Sequence, residues 1–150
     1  MFEQSYPKVY EKFTEELEKK FKDLKFYDNN KDVMSSSTKF PCVIMKNINI
    51  RRELFLNSAT VFHMDIGISF AERVPFDKSK KANIDLLKWF GSFVDEYDTK
   101  VWEIENDDNV VYKLLGDTTD YGGSLITHDD STYIIQVLSF IYTLEQYKPR

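Results

Sequence analysis

Apolar residues recur along this chain with two periods, and the change from one to the other marks out its elements. Tyr10, Phe13, Leu17, Phe21 and Leu24 follow one another at steps of three, four, four and three. That is one apolar stripe of a helix, with Glu11, Lys12, Glu15, Glu16, Lys19 and Lys20 on the solvated side. Pro7 suits the first turn, where its missing N–H costs nothing, so the spacing predicts a helix from about Pro7 to Lys25. Asp28–Thr38 is polar and turn-rich and reads as a loop. Phe40–Lys46 is an apolar run of strand length, with Pro41 at its start or on an edge because proline cannot donate to a ladder.

Over Thr60–Phe70 the period becomes two. Phe62, Met64, Ile66, Ile68 and Phe70 point one way, and Val61, His63, Asp65, Gly67 and Ser69 the other. One face therefore meets a core and the other faces water or a partner. A second helix follows Pro75, with Asp77 or Ser79 as its cap. Its buried stripe is predicted as Ile84, Leu87, Phe90, Val94 and Tyr97, widened by Leu86, Trp89 and Phe93. Gly91 in mid-helix suggests close packing. Val101–Glu105 and Val110–Leu115 read as strands joined by a turn at Asn106–Asn109, Gly116–Gly123 as a loop, and Thr132–Leu144 as a long strand. Apolar residues on both faces of that last strand imply a central position or a covered outer face. The sum is one α+β domain over residues 1–150, with an antiparallel or mixed sheet of four to five strands and two amphipathic helices on one of its faces.

Composition agrees with a folded domain: 42% of the 150 residues are hydrophobic, 15% aromatic and 30% charged. Cys42 stands alone, so no internal disulfide forms and nothing calls for an oxidising compartment. The first residues (MFEQSYPKVYEKF) lack the apolar core of a secretory signal, and no apolar run has the length of a membrane span. Charge is divided unevenly. The chain carries −5, but Asp95–Asp130, with Asp107 and Asp108 at its centre, carries −9 and the remainder +4. An acidic half disfavours nucleic-acid binding, which needs a basic face.

Catalytic chemistry finds little footing. His63 and Asp65 share a strand face, with Glu72 further along, but no further ligand stands at motif spacing, and a solvent-facing or interface pair accounts for them better. His128, Asp129 and Asp130, with Asp120, lack the ligand spacing of a calcium loop. Cys42 lies in an apolar strand with no base beside it. No phosphate loop, nucleophile elbow or zinc-protease motif occurs. The expectation is a protein with no enzymatic activity, cofactor or metal that works by binding other chains. Lys78, Lys80 and Lys81 at the start of the second helix oppose its dipole and point to an acidic partner, such as the Asp/Glu-rich region of a neighbouring copy.

The order of elements adds a family likeness. A charged amphipathic helix, a polar loop and a strand opening on Phe40-Pro41 lead to the alternating ATVFHMDIGISFAERV, the helix ANIDLLKWFGSFVDEY, a hairpin region and the closing STYIIQVLSFIYTLE. This resembles the tail-terminator and head–tail joining (tail completion) proteins of long-tailed bacteriophages. The resemblance is one of architecture over nearly the whole chain. It implies a structural virion protein, assembled in the host cytoplasm as a ring, usually hexameric, that contacts neighbouring tail or connector proteins and lets DNA pass. On this reading Lys78, Lys80, Lys81, His63, Asp65, Asp107 and Asp108 are subunit-interface candidates. The alternative is an acidic inhibitor or immunity-type protein that sequesters a basic toxin or nuclease, with Trp102, Tyr112 and Tyr121 interleaved in its acidic segment.

Overall fold

A computed structural model describes residues 2–28, 38–55, 59–105, 111–128 and 132–149. Helix α1 spans Phe2–Lys20, and strands β1 (Lys25–Asp28), β2 (Cys42–Phe55) and β3 (Ala59–Pro75) follow. A 3-10 turn (Phe76–Lys78) leads into helix α2 (Ser79–Tyr97), then β4 (Lys100–Glu105), β5 (Val111–His128) and β6 (Tyr133–Pro149). The strands form one sheet of six, in the order β1-β2-β3-β6-β5-β4. It is mixed, because β1 runs parallel to β2 while every other pair is antiparallel.

The fold is thus α+β with two helices, but the sheet has six strands rather than four or five. The additional strand is β1, which the sequence pattern assigns to the end of the first helix and the loop after it. The helix stops sooner. Phe21 N–H closes its last bond to the Leu17 carbonyl (3.0 Å), and Leu24 N–H then turns back to Phe21 (2.9 Å). Lys25 N–H donates to the Pro41 carbonyl (2.9 Å), which draws the chain into the sheet. The helix also begins earlier than expected, so that Pro7 lies inside it. Residues 106–110, where a hairpin turn is expected, and most of the expected loop at 28–38 lie outside the described residues.

Strand β6 is central, paired with β3 on one side and β5 on the other, which explains its two apolar faces. Residues Gly116–Gly123 are not a free loop. They belong to β5, whose register against β6 shifts at Thr118–Asp120 and again at Asp120–Gly123 to absorb them. A similar irregularity between Met45 and Ile48 keeps β2 in phase. It leaves Ile48 and Ile50 opposite Ile66 and Met64, on the same face as Val43 and Met45.

The main core cluster draws on both helices and on the sheet. Helix α1 contributes Val9, Phe13, Leu17 and Phe21, α2 contributes Leu86, Phe93 and Tyr97, and Met64–Phe70 and Phe140–Leu144 supply the sheet side. The stripe of α2 is rotated from the expected one. Ala82, Leu86, Phe93 and Tyr97 are buried, whereas Leu87 is 63% exposed and Ile84 43%. Nine of the nineteen residues of this helix are apolar and they spread around much of its surface, so periodicity alone leaves several faces eligible to turn inward. Neither Asp77 nor Ser79 caps α2. Lys78 holds the cap position without a side-chain bond, and the chain is pinned by Phe76 N–H donating to the Thr132 carbonyl (2.8 Å). Gly91 has no atom within 4 Å of where a Cβ would stand, so close packing is not its reason.

Candidate functional site

On the sheet face away from Met64 and Ile66, the register sets β3 between Arg51 of β2 and Thr143 and Glu145 of β6. Arg51 donates to the Asp65 carboxylate through Nε (2.6 Å) and Nη2 (3.2 Å), and the Thr143 hydroxyl donates to the same group (2.7 Å). Thr119 lies 2.7 Å beyond, against Thr143, so a row of polar contacts crosses four strands. Burial raises the Asp65 carboxyl, but the bonds from Arg51 and Thr143 and the guanidinium charge outweigh it and hold its pKa below the ordinary range. His63 Nδ1 lies 3.7 Å from Glu145. His63 is only 8% exposed, so of the two expectations, a solvent-facing or an interface pair, the solvent-facing one does not fit His63. Glu72 does not join them, because its position in β3 has the opposite parity. Among the described residues no group of three or more His, Cys, Asp or Glu could hold a metal.

The opposite face of β3 and β6 carries a polar layer that interrupts the core. Glu72 stands across from Gln136, and both are buried beneath the first turns of α2. Gln136 Nε2 donates to Asn83 Oδ1 (2.8 Å), and the Lys81 ammonium lies 2.7 Å from Asp85 and 3.8 Å from Glu72. Burial, then the charge of Asp85, pushes the Glu72 carboxyl up to about 7, with Lys81 offsetting only part of this. Among the described residues, the buried Glu72 Oε2 and Gln136 Oε1 find no hydrogen-bond partner. Sequence reading missed this layer, although a signal exists. Glu72 and Gln136 each break the apolar alternation of a strand at the position facing the other.

Of the expected interface lysines, Lys81 is therefore engaged inside its own chain, while Lys78 and Lys80 are exposed. Asp107, Asp108, Asp129 and Asp130 lie outside the described residues, as do the side chains of His128, Tyr112 and Tyr121. Trp102 is 1% exposed and belongs to the core, not to an acidic binding surface. Cys42 is buried among Ile44, Ala71, Ile135 and Val137.

The two ends of the sheet hold the remaining feature. Strand β1 covers β2 only from Cys42 to Met45, so among the described residues β2 from Ile48 onward is paired on one side alone, by β3. Strand β4 closes the other end and is paired only by β5. Each end shows apolar side chains to solvent: Ile48 and Ile50 on β2 at 46% exposure each, and Val101 on β4 at 52%. No helix of the described residues is long and apolar enough to cross a membrane. Comparison with protein-family models and with curated proteins finds no match for this chain.

Proposed function

We propose that the chain is a structural subunit that assembles with copies of itself into a ring at the head–tail junction or tail end of a long-tailed bacteriophage. The observation that carries this reading is the sheet with two unequal open ends, each showing apolar side chains. Different patches at opposite ends make head-to-tail contacts, and such contacts close into rings when the rotation permits. In this arrangement the sheets join around the ring and both helices pack on their other side. The convergence of Phe13 from α1 and Phe93 from α2 on Tyr142 supports that packing. The exposed Glu103 and Glu105 contribute to an acidic surface, which repels phosphate and lets DNA pass without adhering.

The test is native mass spectrometry and negative-stain microscopy of the purified chain, alone and mixed with isolated tail tubes. Closed rings that sit on the tube end are expected. A chain that ignores tail tubes and instead binds a basic nuclease one-to-one overturns the reading in favour of the inhibitor class.

A further inference from the structure

We infer that the outer face of α2 pairs with the same face of a second copy, the two helices running antiparallel. Three observations meet on that face. At 3.6 residues per turn, Ile84, Leu87 and Gly91 lie on the side of α2 away from the buried Ala82, Leu86, Phe93 and Tyr97. Ile84 is 43% exposed and Leu87 63%, while the other large apolar residues of this helix are at least partly sheltered. Gly91 weakens the helix relative to alanine, yet its Cβ position has no neighbour within 4 Å, so no contact among the described residues calls for it. A second helix could use that space, because glycine admits a close approach to the backbone.

The third observation is charge. The first turn of α2 has lysines and no acidic residue, and the last has Asp95 and Glu96 and no basic one. Each end thus carries the charge that its own dipole disfavours. Glu96 is matched by Lys20 of α1 (2.7 Å), and Lys81 by Asp85 (2.7 Å). Lys80 and Asp95 are exposed on the outer face, and neither has an opposite charge one turn away within α2.

A two-fold axis passing between Leu87 and Lys88 answers all three, since residues equidistant from it along the two helices face each other. Ile84 of one copy then lies on Gly91 of the other, where the absent side chain leaves room. Lys80 faces Asp95 at both ends, so unlike charges meet twice and each helix end gains the charge its dipole favours. Leu87 faces Lys88, whose aliphatic stem can cover it while the ammonium stays in water. Moving the register by one turn sets Lys80 against Gly91, or beyond the partner's Tyr97, and leaves the charges unmatched. A parallel pair would set lysine on lysine and aspartate on aspartate. The occupant is therefore a copy of this chain, because the face complements itself when turned end for end. This contact joins copies in pairs and lies apart from the sheet ends, so it holds whether or not a ring forms.

The test is sedimentation velocity of the full chain from micromolar concentration up to its solubility limit, at low and high salt. A dimer that salt weakens is expected. Lys80→Glu and Asp95→Lys should each raise its dissociation constant about tenfold or more, since two like-charge contacts replace two unlike ones. Circular dichroism should show both variants folded at least as stably as the parent, because each gives its helix end the charge the dipole favours. An equal mixture of the two should restore the dimer, as every charge contact between them again joins unlike charges. Gly91→Gln should fold, having open space within its own chain, and should lose the dimer by holding the partner's Ile84 away. A parent chain that stays monomeric throughout overturns the inference and leaves this face to a different protein. A mixture of folded variants that fails to reassociate overturns it too. So does an oligomer that all three variants leave unchanged, and the ring reading is then untouched. Dimers that behave as described but ignore tail tubes keep the inference and count against the phage reading.

Discussion

The two ends of α2 bury polar atoms of different kinds, neutral hydroxyl, carbonyl and indole groups at one and ionisable groups at the other. Beneath its C-terminal end, the Tyr142 hydroxyl donates to the Tyr97 carbonyl (2.7 Å) and accepts from the Trp102 indole N–H (3.0 Å). Phe13 stacks on the Tyr142 ring at 5.0 Å, with Phe93 edge-on at 5.3 Å. Beneath its N-terminal end, Glu72, Asp85 and Lys81 bring ionisable groups together, and buried oxygens of Glu72 and Gln136 find no partner among the described residues. Neutral donors and acceptors can be matched one to one and then enclosed by rings at no cost in charge. A carboxyl in the same setting must keep its proton or be desolvated as an anion. The aromatic end is therefore expected to set the stability of the domain, and the polar end its response to pH.

The strongest way to break the aromatic end is Gly116→Ala. A Cβ there would overlap the Tyr142 hydroxyl and ring and press on the Trp102 indole nitrogen. Neither ring has room to withdraw, so a loss of about 3 kcal/mol is expected from urea unfolding, at the upper end of what overpacking costs. Next comes a pair of hydroxyl deletions. Tyr142→Phe strands the Tyr97 carbonyl and the Trp102 N–H and should cost about 1–3 kcal/mol. Tyr97→Phe removes a buried hydroxyl that has no hydrogen-bond partner among the described residues, and should leave the unfolding midpoint nearly unchanged. Equal losses in the two variants would show that ring packing alone, and not the hydroxyl, is what matters at Tyr142.

At the polar end the effect is a slope. The Glu72 pKa is raised from 4.5 to about 7 in the folded chain, so between those values the folded state holds a proton that the unfolded state releases. Its contribution to stability is present in full below about pH 4.5 and is lost as pH rises through about 7. Glu72→Gln should flatten thermal stability across that window and leave the variant the more stable form above it. An unchanged slope would mean that another group sets it. The smallest effect is expected at Gly91→Ala, where open space and a helical backbone favour the methyl group by roughly 0.5–1 kcal/mol. That gain beside the loss at Gly116 would make the contrast between two glycines of neighbouring elements quantitative.

How much of this could be read from the residues differs by element. The alternation of Phe62–Phe70 placed β3 and its inner face correctly, because a half-buried strand writes its period directly into sequence. The stripe Phe13, Leu17, Phe21 did the same for α1. Strand β1 was missed because Lys25–Asp28 has too few residues to show a period, and its partner lies beyond a loop. The run through Gly116–Gly123 looked like a loop because register shifts let turn-type residues stay in a strand. His63 and Asp65 were singled out, but their bonds to Arg51, Thr143 and Glu145 depend on strand neighbours far away in the chain. Glu72 was noticed only as a neighbour of His63 and Asp65, whereas its environment comes from α2 and β6.

The sequence by itself determined that this chain folds as α+β with two helices, and which face of its alternating strand turns inward. Those properties follow from local periodicity, which any segment carries with it wherever it packs. Only the tertiary structure decided the order β1-β2-β3-β6-β5-β4, which strands end the sheet, and which side of α2 is buried. These depend on contacts between residues distant in the chain, and a helix or strand with more apolar surface than one face needs leaves that choice to its neighbours.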